Sequence, residues 1–429
     1  MKRKVFTIFF FSLFTCQLFG SGFQINEHGA RPMGLAGAFT GLANDPSAVY
    51  FNSAGLVQLK GTQFSIGGTF ISPSSTFTGP SPATTESKLK ARYFTPLNAY
   101  FTHQLSNDLW VGVGFNNPFG LGTEWEEDWV GRYRTTKTEI RTFNFSPVIA
   151  YKISDQLSAS VGFTYSYSDV IIQRKLQVLV PTQQGPVAFP DADVKLEGDG
   201  SSFGYSAAIF FKASDALSLG ASFHGPISYD YEGTATTDAH SSTPAPVVGL
   251  MPSGGIKAPL TTPFVGTIGA AYHASECLLF AADFQYNGWS SYDKLEVTFD
   301  TWADPRTGSK VSTSEREFEN SFIFRLGSEY KVSQPLTLRG GVLYDKNPVK
   351  DERLDPTLPD ADRTGLNIGL SYKLIDNLSL DLAYLYLMFT ERTITTSKEF
   401  IPLGTSLTPI NGTYKSSAHL IGMNLSYTF

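Results

Sequence analysis

The chain has 429 residues, of which 17% are charged and 14% aromatic, with 34 Phe, 20 Tyr and a formal net charge of −6. Charged residues fall below the roughly 25% usual in soluble chains, yet beyond the N-terminus no apolar run approaches the ~18 residues of a spanning helix. This composition argues against a helical membrane protein and fits a barrel that alternates lipid-facing and lumen-facing residues; no basic patch points to nucleic acid.

The first element in chain order is an export signal. Lys2, Arg3 and Lys4 precede the apolar stretch Val5 to Phe14, and small residues follow at Gly20, Ser21 and Gly22. Cleavage near Gly20/Ser21 defines residues 1–20 as the signal and moves the net charge from −6 to −9. Lipidation at Cys16 is the alternative, and Thr15 is a poor residue before such a cysteine. With Cys16 removed, only Cys277 remains, so no internal disulfide holds the fold.

Residues 21–59 do not read as strands. Gly29, Gly34, Gly37, Gly41 and Gly55, interspersed with alanines, allow close packing in short helices and turns. The apolar residues Leu35, Phe39, Leu42, Val49, Tyr50, Phe51 and Leu56 are unlike a disordered tail. The segment is therefore expected to plug a barrel formed by residues 60–429.

A seven-residue device then recurs, with an aromatic or His first, a Ser/Asp/Asn turn, and Leu last. It spans His103–Leu109, Tyr151–Leu157, Phe211–Leu217, Tyr272–Leu278, Tyr330–Leu336 and Tyr372–Leu378. Polar turn residues bounded by β-formers signal hairpins, and the leading ring suits the interfacial girdle. The turns start 48, 60, 61, 58 and 42 residues apart, room for two strands of about 9–11 residues plus a long loop. Six short turns separate seven hairpins, which predicts an all-β transmembrane barrel of 14 antiparallel strands with an N-terminal hatch inside the lumen.

The last strand supports this period, since Ile421, Met423, Leu425, Tyr427 and Phe429 alternate with Gly422, Asn424, Ser426 and Thr428. Terminal Phe429 resembles the signal read by the barrel-assembly machinery. Leu380–Phe389 is apolar on both faces, and Val170–Val180 mixes Ile171, Leu176, Val178 and Leu179 with Arg174 and Lys175. An apolar lumen face implies either a packed plug or a path for greasy solutes.

Several stretches resemble the FadL-type long-chain fatty-acid transporters. They are Gly22-Phe-Gln-Ile-Asn-Glu27, Gly34-Leu-Ala-Gly-Ala38, Asn52-Ser-Ala-Gly-Leu56, Phe119-Gly-Leu-Gly-Thr-Glu-Trp125, and Tyr344–Val349 continuing to Leu358-Pro-Asp-Ala-Asp-Arg363. The resemblance spans Gly22 to Phe429. It implies a fourteen-stranded barrel with a hatch, passive uptake of hydrophobic compounds, and sideways exit at a kink in the third strand. That strand is expected to start at Leu109, which puts Asn117, Pro118, Phe119 and Gly120 mid-strand, where Pro and Gly belong at bulges or breaks. Phe23 and Gln24 are expected at the gate, with Asn52, Ser53 and Ala54 in the hatch. Family members usually have Asn-Pro-Ala there, and Ser53 lacks the fixed φ of Pro.

A carboxylate head would want Arg or Lys, and the resemblance points to Arg174 and Arg316. Solvated or interfacial charge is the plainer reading of both, and without them the ligand would be an uncharged hydrocarbon. Asp345, Asp360, Asp362 and Arg363 are expected to pin the outer loop between strands eleven and twelve. No catalytic motif such as His-Glu-x-x-His or Gly-x-Ser-x-Gly is present, so no enzyme, cofactor or metal is expected. The partners implied are hydrophobic small molecules, outer-membrane lipid, lipopolysaccharide and the assembly machinery, around a monomer in the outer membrane. A general porin and an adhesin are the competing functions.

Overall fold

Each of the six turns ends where a strand begins: Leu109, Leu157, Leu217, Leu278, Leu336 and Leu378 are all first residues of strands. The computed structural model describes residues 22–80, 82–180 and 182–429, and the expected export signal lies outside the described residues. The Ser of the turn motif has a clear job. Ser154, Ser214 and Ser275 each accept, through Oγ, the amide hydrogen of the following Leu157, Leu217 or Leu278 at 3.1 Å, which turns the chain locally. In the sixth turn Ile375 takes the Ser position, and the ladder there carries a bulge between Lys373 and Ile375.

Fourteen strands close into one antiparallel ring. They are β1 (Thr62–Thr78), β2 (Leu97–Gln104), β3 (Leu109–Asn116, resuming at Gly120–Glu124), β4 (Lys137–Lys152), β5 (Leu157–Val180), β6 (Val187–Lys212) and β7 (Leu217–His224 and Ser228–Asp238). The ring continues through β8 (Gly254–Thr261 and Val265–His273), β9 (Leu278–Asn287 and Lys294–Phe299) and β10 (Val311–Glu315 and Ser321–Lys331). It ends with β11 (Leu336–Asp345), β12 (Arg363–Ile375), β13 (Leu378–Phe389) and β14 (Gly412–Thr428), and β14 pairs with β1 from Gln63–Thr428 to Thr78–Thr413. Closure matters because a lipid-exposed strand edge would leave backbone groups unpaired.

The outer wall is apolar, as the period-2 pattern requires. Ile421 and Met423 are exposed, whereas Asn424 between this face and the lumen is buried. The leading aromatics of the turn motif, including Tyr151, Tyr272 and Tyr330, are about half exposed at the short-turn rim. Phe429 falls one residue beyond β14, and its amide donates to the Thr62 carbonyl at 2.9 Å.

Residues 22–59 lie inside the ring and touch it on all sides. They form two short helices, α1 (Ala30–Gly34) and α2 (Ala48–Phe51), and a 3-10 turn at Ser53–Gln58. Wall side chains reach in to satisfy the segment's backbone. Asn424 accepts from Ala30 N at 2.8 Å, Asn367 donates to Met33 O at 2.7 Å, and Asp283 accepts from Phe39 N and Thr40 N at 3.1 and 2.9 Å. On the opposite wall Ser218 donates to Gly41 O, Ser158 to Ala54 O and Trp110 to Leu59 O, at 2.7 to 2.8 Å. Small residues allow this closeness: a Cβ on Gly41 would stand 2.6 Å from the Ala270 backbone. The apolar lumen face of β13 is partly explained here, since Ala383 and Leu385 pack against Ala30, Met33 and Ala36.

A partly buried ion network, centred on buried Arg339 and Asp381, adds to these tethers. Arg31 meets Asp45 and Glu329 at 3.3 and 3.4 Å, while Arg339 meets Glu329 at 2.7 Å and Asp381 at 3.5 Å. Removing one member of such a network strands the others without water. Arg339→Met is expected to destabilise the barrel by about 3–5 kcal/mol, read as a lower urea midpoint in detergent; an unchanged midpoint would contradict this role.

Candidate functional site

The third strand breaks where the Asn-Pro-Phe-Gly stretch predicts. Asn116 pairs with Asn144 and Gly120 with Arg141, so three residues of β3 oppose two of β4. In the break the chain turns inward and pairs with the N-terminal segment. Pro118 O accepts from Ile25 N and Phe23 O accepts from Gly120 N, both at 2.9 Å, around a bridge between Gln24 and Phe119.

The wall splits beside this break. The ladder between β2 and β3 stops at Ala99–Phe115. Above it, residues 94–96 stay on β1 through Thr69 N to Pro96 O at 3.0 Å and Ile71 N to Phe94 O at 2.8 Å. The upper half of β3 stays on β4 instead. Higher still, Lys90 N donates to Glu124 O at 2.7 Å and rejoins the two edges. A cavity of about 500 Å³ occupies this region. Its lining includes Ile140, Thr142, Leu387 and Leu420, which are buried, but also Leu97 and Arg141, which are more than half exposed on the outer face. The cavity therefore crosses the wall.

A second cavity, about 470 Å³, lies on the long-loop side. Both volumes fall within the roughly 300–1,000 Å³ of small-molecule sites. Val170, Ile172, Leu196, Ile256, Leu260 and Val297 give it apolar walls. Phe23, Ile140 and Leu358 line both cavities and form the partition between them. Phe23 is locked in an aromatic cluster, with ring centroids 4.6 Å from Trp289 and 6.0 Å from Phe119 and from Tyr292.

One end of the outer cavity is cationic. Arg134, Arg174, Arg316 and Arg353 line it together with Asp355 and Glu399. Arg134 pairs with Asp355 and, at 2.7 Å, with Glu399. Arg316 approaches Asp355 at 3.8 Å, and Arg353 pairs with Glu317 and with Glu399 at 3.3 Å. Burial would push the Asp355 carboxyl up, but Arg134 and Arg316 outweigh it and hold the group well below the usual range. Arg174 differs. Its charged neighbour is Arg134, of like sign, and among the described residues no carboxylate pairs with it. Arg316 Nε is likewise buried without a partner.

The expected site residues thus divide. Arg174, on β5, and Arg316, just past the first part of β10, lie far apart in the chain but line one cavity. Phe23 stands at its floor, and Gln24 is buried beside it, accepting from Gln285 at 3.1 Å. Asn117, Phe119 and Gly120 line the wall-crossing cavity. Asn52, Ser53 and Ala54 line neither; they sit against β5 and β6, with Asn52 donating to Ile209 O at 3.0 Å and Ser53 Oγ 2.7 Å from Ser160 Oγ. The acidic group near β12 does more than pin a loop. Asp360 accepts from Gly22 N and Arg363 donates to Gly22 O, both at 2.8 Å, and the two side chains pair at 2.6 Å. Arg134, Asp355, Glu399 and Trp289 escaped sequence reading. The clustered Arg132-Tyr-Arg134 was the one local signal, because their partners come from distant loops.

A model of the family described as outer membrane protein transport protein (OMPP1/FadL/TodX) matches residues 11–429. Outer membrane protein P1 of Haemophilus influenzae is 26% identical, with 95% of each chain covered. The long-chain fatty acid transport protein of Escherichia coli K12 is 23% identical, over 97% of this chain and 96% of its own. Among solved structures, a Pseudomonas aeruginosa FadL homologue has a TM-score of 0.83 at 19% identity, covering 95% of this chain and 99% of that one. The Pseudomonas putida toluene transporter TodX has a TM-score of 0.71 at 19% identity, covering 96% and 98%. At such identities the structural likeness establishes the fold alone.

The partition generates a prediction. Phe23→Ala is expected to join the two cavities and speed exchange of a bound apolar dye about tenfold, the effect of lowering a barrier by roughly 1.4 kcal/mol. Stopped-flow fluorescence in detergent checks this, and an unchanged rate would mean that Phe23 is not the barrier.

Proposed function

The chain belongs to the outer-membrane protein transport family of OMPP1, FadL and TodX, and on that premise we propose that it admits long-chain fatty acids by passive diffusion and releases them sideways into the membrane. Membership makes it an outer-membrane channel for hydrophobic compounds and not an enzyme. The choice of a fatty acid is carried by one observation: Arg174 lines an apolar cavity with no carboxylate of its own. A cation without a counter-ion is costly away from water, and a ligand carboxylate would complete it with a charge-assisted hydrogen bond. Arg316, with its unpartnered Nε, is a second donor to the same head group.

The rest of the path follows from the cavities. The acyl chain lies along Ile172, Leu196 and Val297, passes Phe23, and enters the cavity that crosses the wall beside Asn117 to Gly120. The lumen straight below is filled by residues 22–59, which favours sideways release over passage to the periplasm. Under this reading residues 1–20 are the signal, 21–59 the hatch and 60–429 the barrel. The barrel works as a monomer among outer-membrane lipid and lipopolysaccharide, with Phe429 read during assembly.

An uncharged hydrocarbon could follow the same apolar walls without using Arg174, so the head group is the point to test. Arg174→Ala is expected to weaken oleate binding about tenfold or more, the value of one hydrogen bond to a charged group at roughly 1.5–3 kcal/mol, while sparing an aromatic hydrocarbon. Fluorescence displacement with both ligands measures this; equal losses for the two would remove the carboxylate from the reading. In planar bilayers the filled lumen is expected to pass no large steady ion current, whereas a general porin would.

A further inference from the structure

Asn117 sits in the break of β3 with 9% of its surface exposed. Its side chain connects the strands on either side of β3. Leu97 N, at the start of β2, donates to Asn117 Oδ1 at 2.9 Å. Asn117 Nδ2 donates to Thr142 O, on β4, at 2.6 Å. A carboxamide presents one carbonyl and one N–H set, as a peptide group does. The two partners also fix its orientation, because Leu97 N–H needs an acceptor and Thr142 C=O needs a donor. The wall ladder therefore crosses the break through a side chain.

This substitution releases the main chain for other work. Pro118 brings no N–H that would need a ladder partner. Phe119 N donates to Thr142 Oγ1 at 2.9 Å, and Thr142 Oγ1 donates to Phe119 O at 2.7 Å. Pro118 O and Gly120 N are left to hold Ile25 and Phe23. We propose that Asn117 is a positioning residue: its amide stands in for a peptide unit of β3 and holds open the gap through which ligand leaves. This rests on the sideways-release reading above. Without the amide, Leu97 N–H and the buried Thr142 C=O lose this partner inside the bilayer, where no water replaces it. The relief available is for residues 117–119 to return to the wall, which releases residues 23–25 and closes the gap.

The test compares wild type with Asn117→Ala and Asn117→Asp. Asp keeps the acceptor for Leu97 but cannot donate to Thr142. Two readouts separate positioning from binding: equilibrium binding of a fluorescent fatty acid in detergent, and its delivery into the bilayer of proteoliposomes. Binding in the outer cavity, set by the head group at Arg174 and away from Asn117, is expected to stay within about twofold while delivery falls about tenfold or more in both variants, the signature of a lost step rather than a lost site. Unchanged delivery, or binding and delivery lost together, would overturn the role. Failure of wild type itself to deliver fatty acid would count against the transport reading instead. Hydrogen exchange on wild type needs no variant to fold: the Leu97 amide is expected to be protected, and rapid exchange there would overturn the proposal.

Discussion

A backbone N–H or C=O inside a bilayer has no water to pair with, and this constraint governs the rest of the structure. It demands closure, which β1 and β14 supply along their whole length. It also makes any hole in the wall a problem that side chains must solve. The break in β3 is tolerated because Asn117 and Thr142 take over the missing ladder contacts and because residues 23–25 pair with the displaced strand. A hole of this kind is therefore built rather than accidental. Its rims are rejoined above by Lys90 and Glu124 and below by Ala99 and Phe115.

The same accounting explains why the inner segment divides into two parts. Residues 30–59 are bound to strands around the whole circumference, through uncharged side chains and through the network of Arg31, Glu329 and Arg339. Many tethers must break together for this body to leave. Ser53 fits that picture. It lacks the ring of the proline usual in relatives, but its hydroxyl meets Ser160 on β5 and anchors the corner to the wall. Residues 22–25 are held differently, by the Asp360–Arg363 pair at Gly22 and by two backbone bonds at the break. Phe23, which separates the cavities, lies in this tip.

Much of the fold was legible because it is set by local chemistry. The seven-residue turns marked six strand starts, each at the closing Leu, and in three of them the Ser hydroxyl accepts from that Leu amide. The Asn117-Pro-Phe-Gly120 break was legible because Pro and Gly are misfits in a strand. The cationic site was only half legible. Arg174 and Arg316 were reachable by resemblance, but Arg134 meets Asp355 across 221 residues of sequence, and no local pattern announces such a pair. Asp360 and Arg363 suggest only a loop pin in the sequence for the same reason, because Gly22 is more than 330 positions away. Asn52 to Ala54, expected in the hatch, lie in the anchored body against β5 and β6.

The central claim is a sideways path: head group at Arg174, chain past Phe23, exit beside Asn117. The most direct measurement is an anomalous-difference map from crystals grown with a terminally brominated fatty acid. The account predicts bromine in the apolar part of the outer cavity or in the wall-crossing cavity beside Phe115 and Phe143. Bromine found only at the short-turn mouth, among Lys60, Trp110 and Lys152, would show passage straight through the lumen and contradict it.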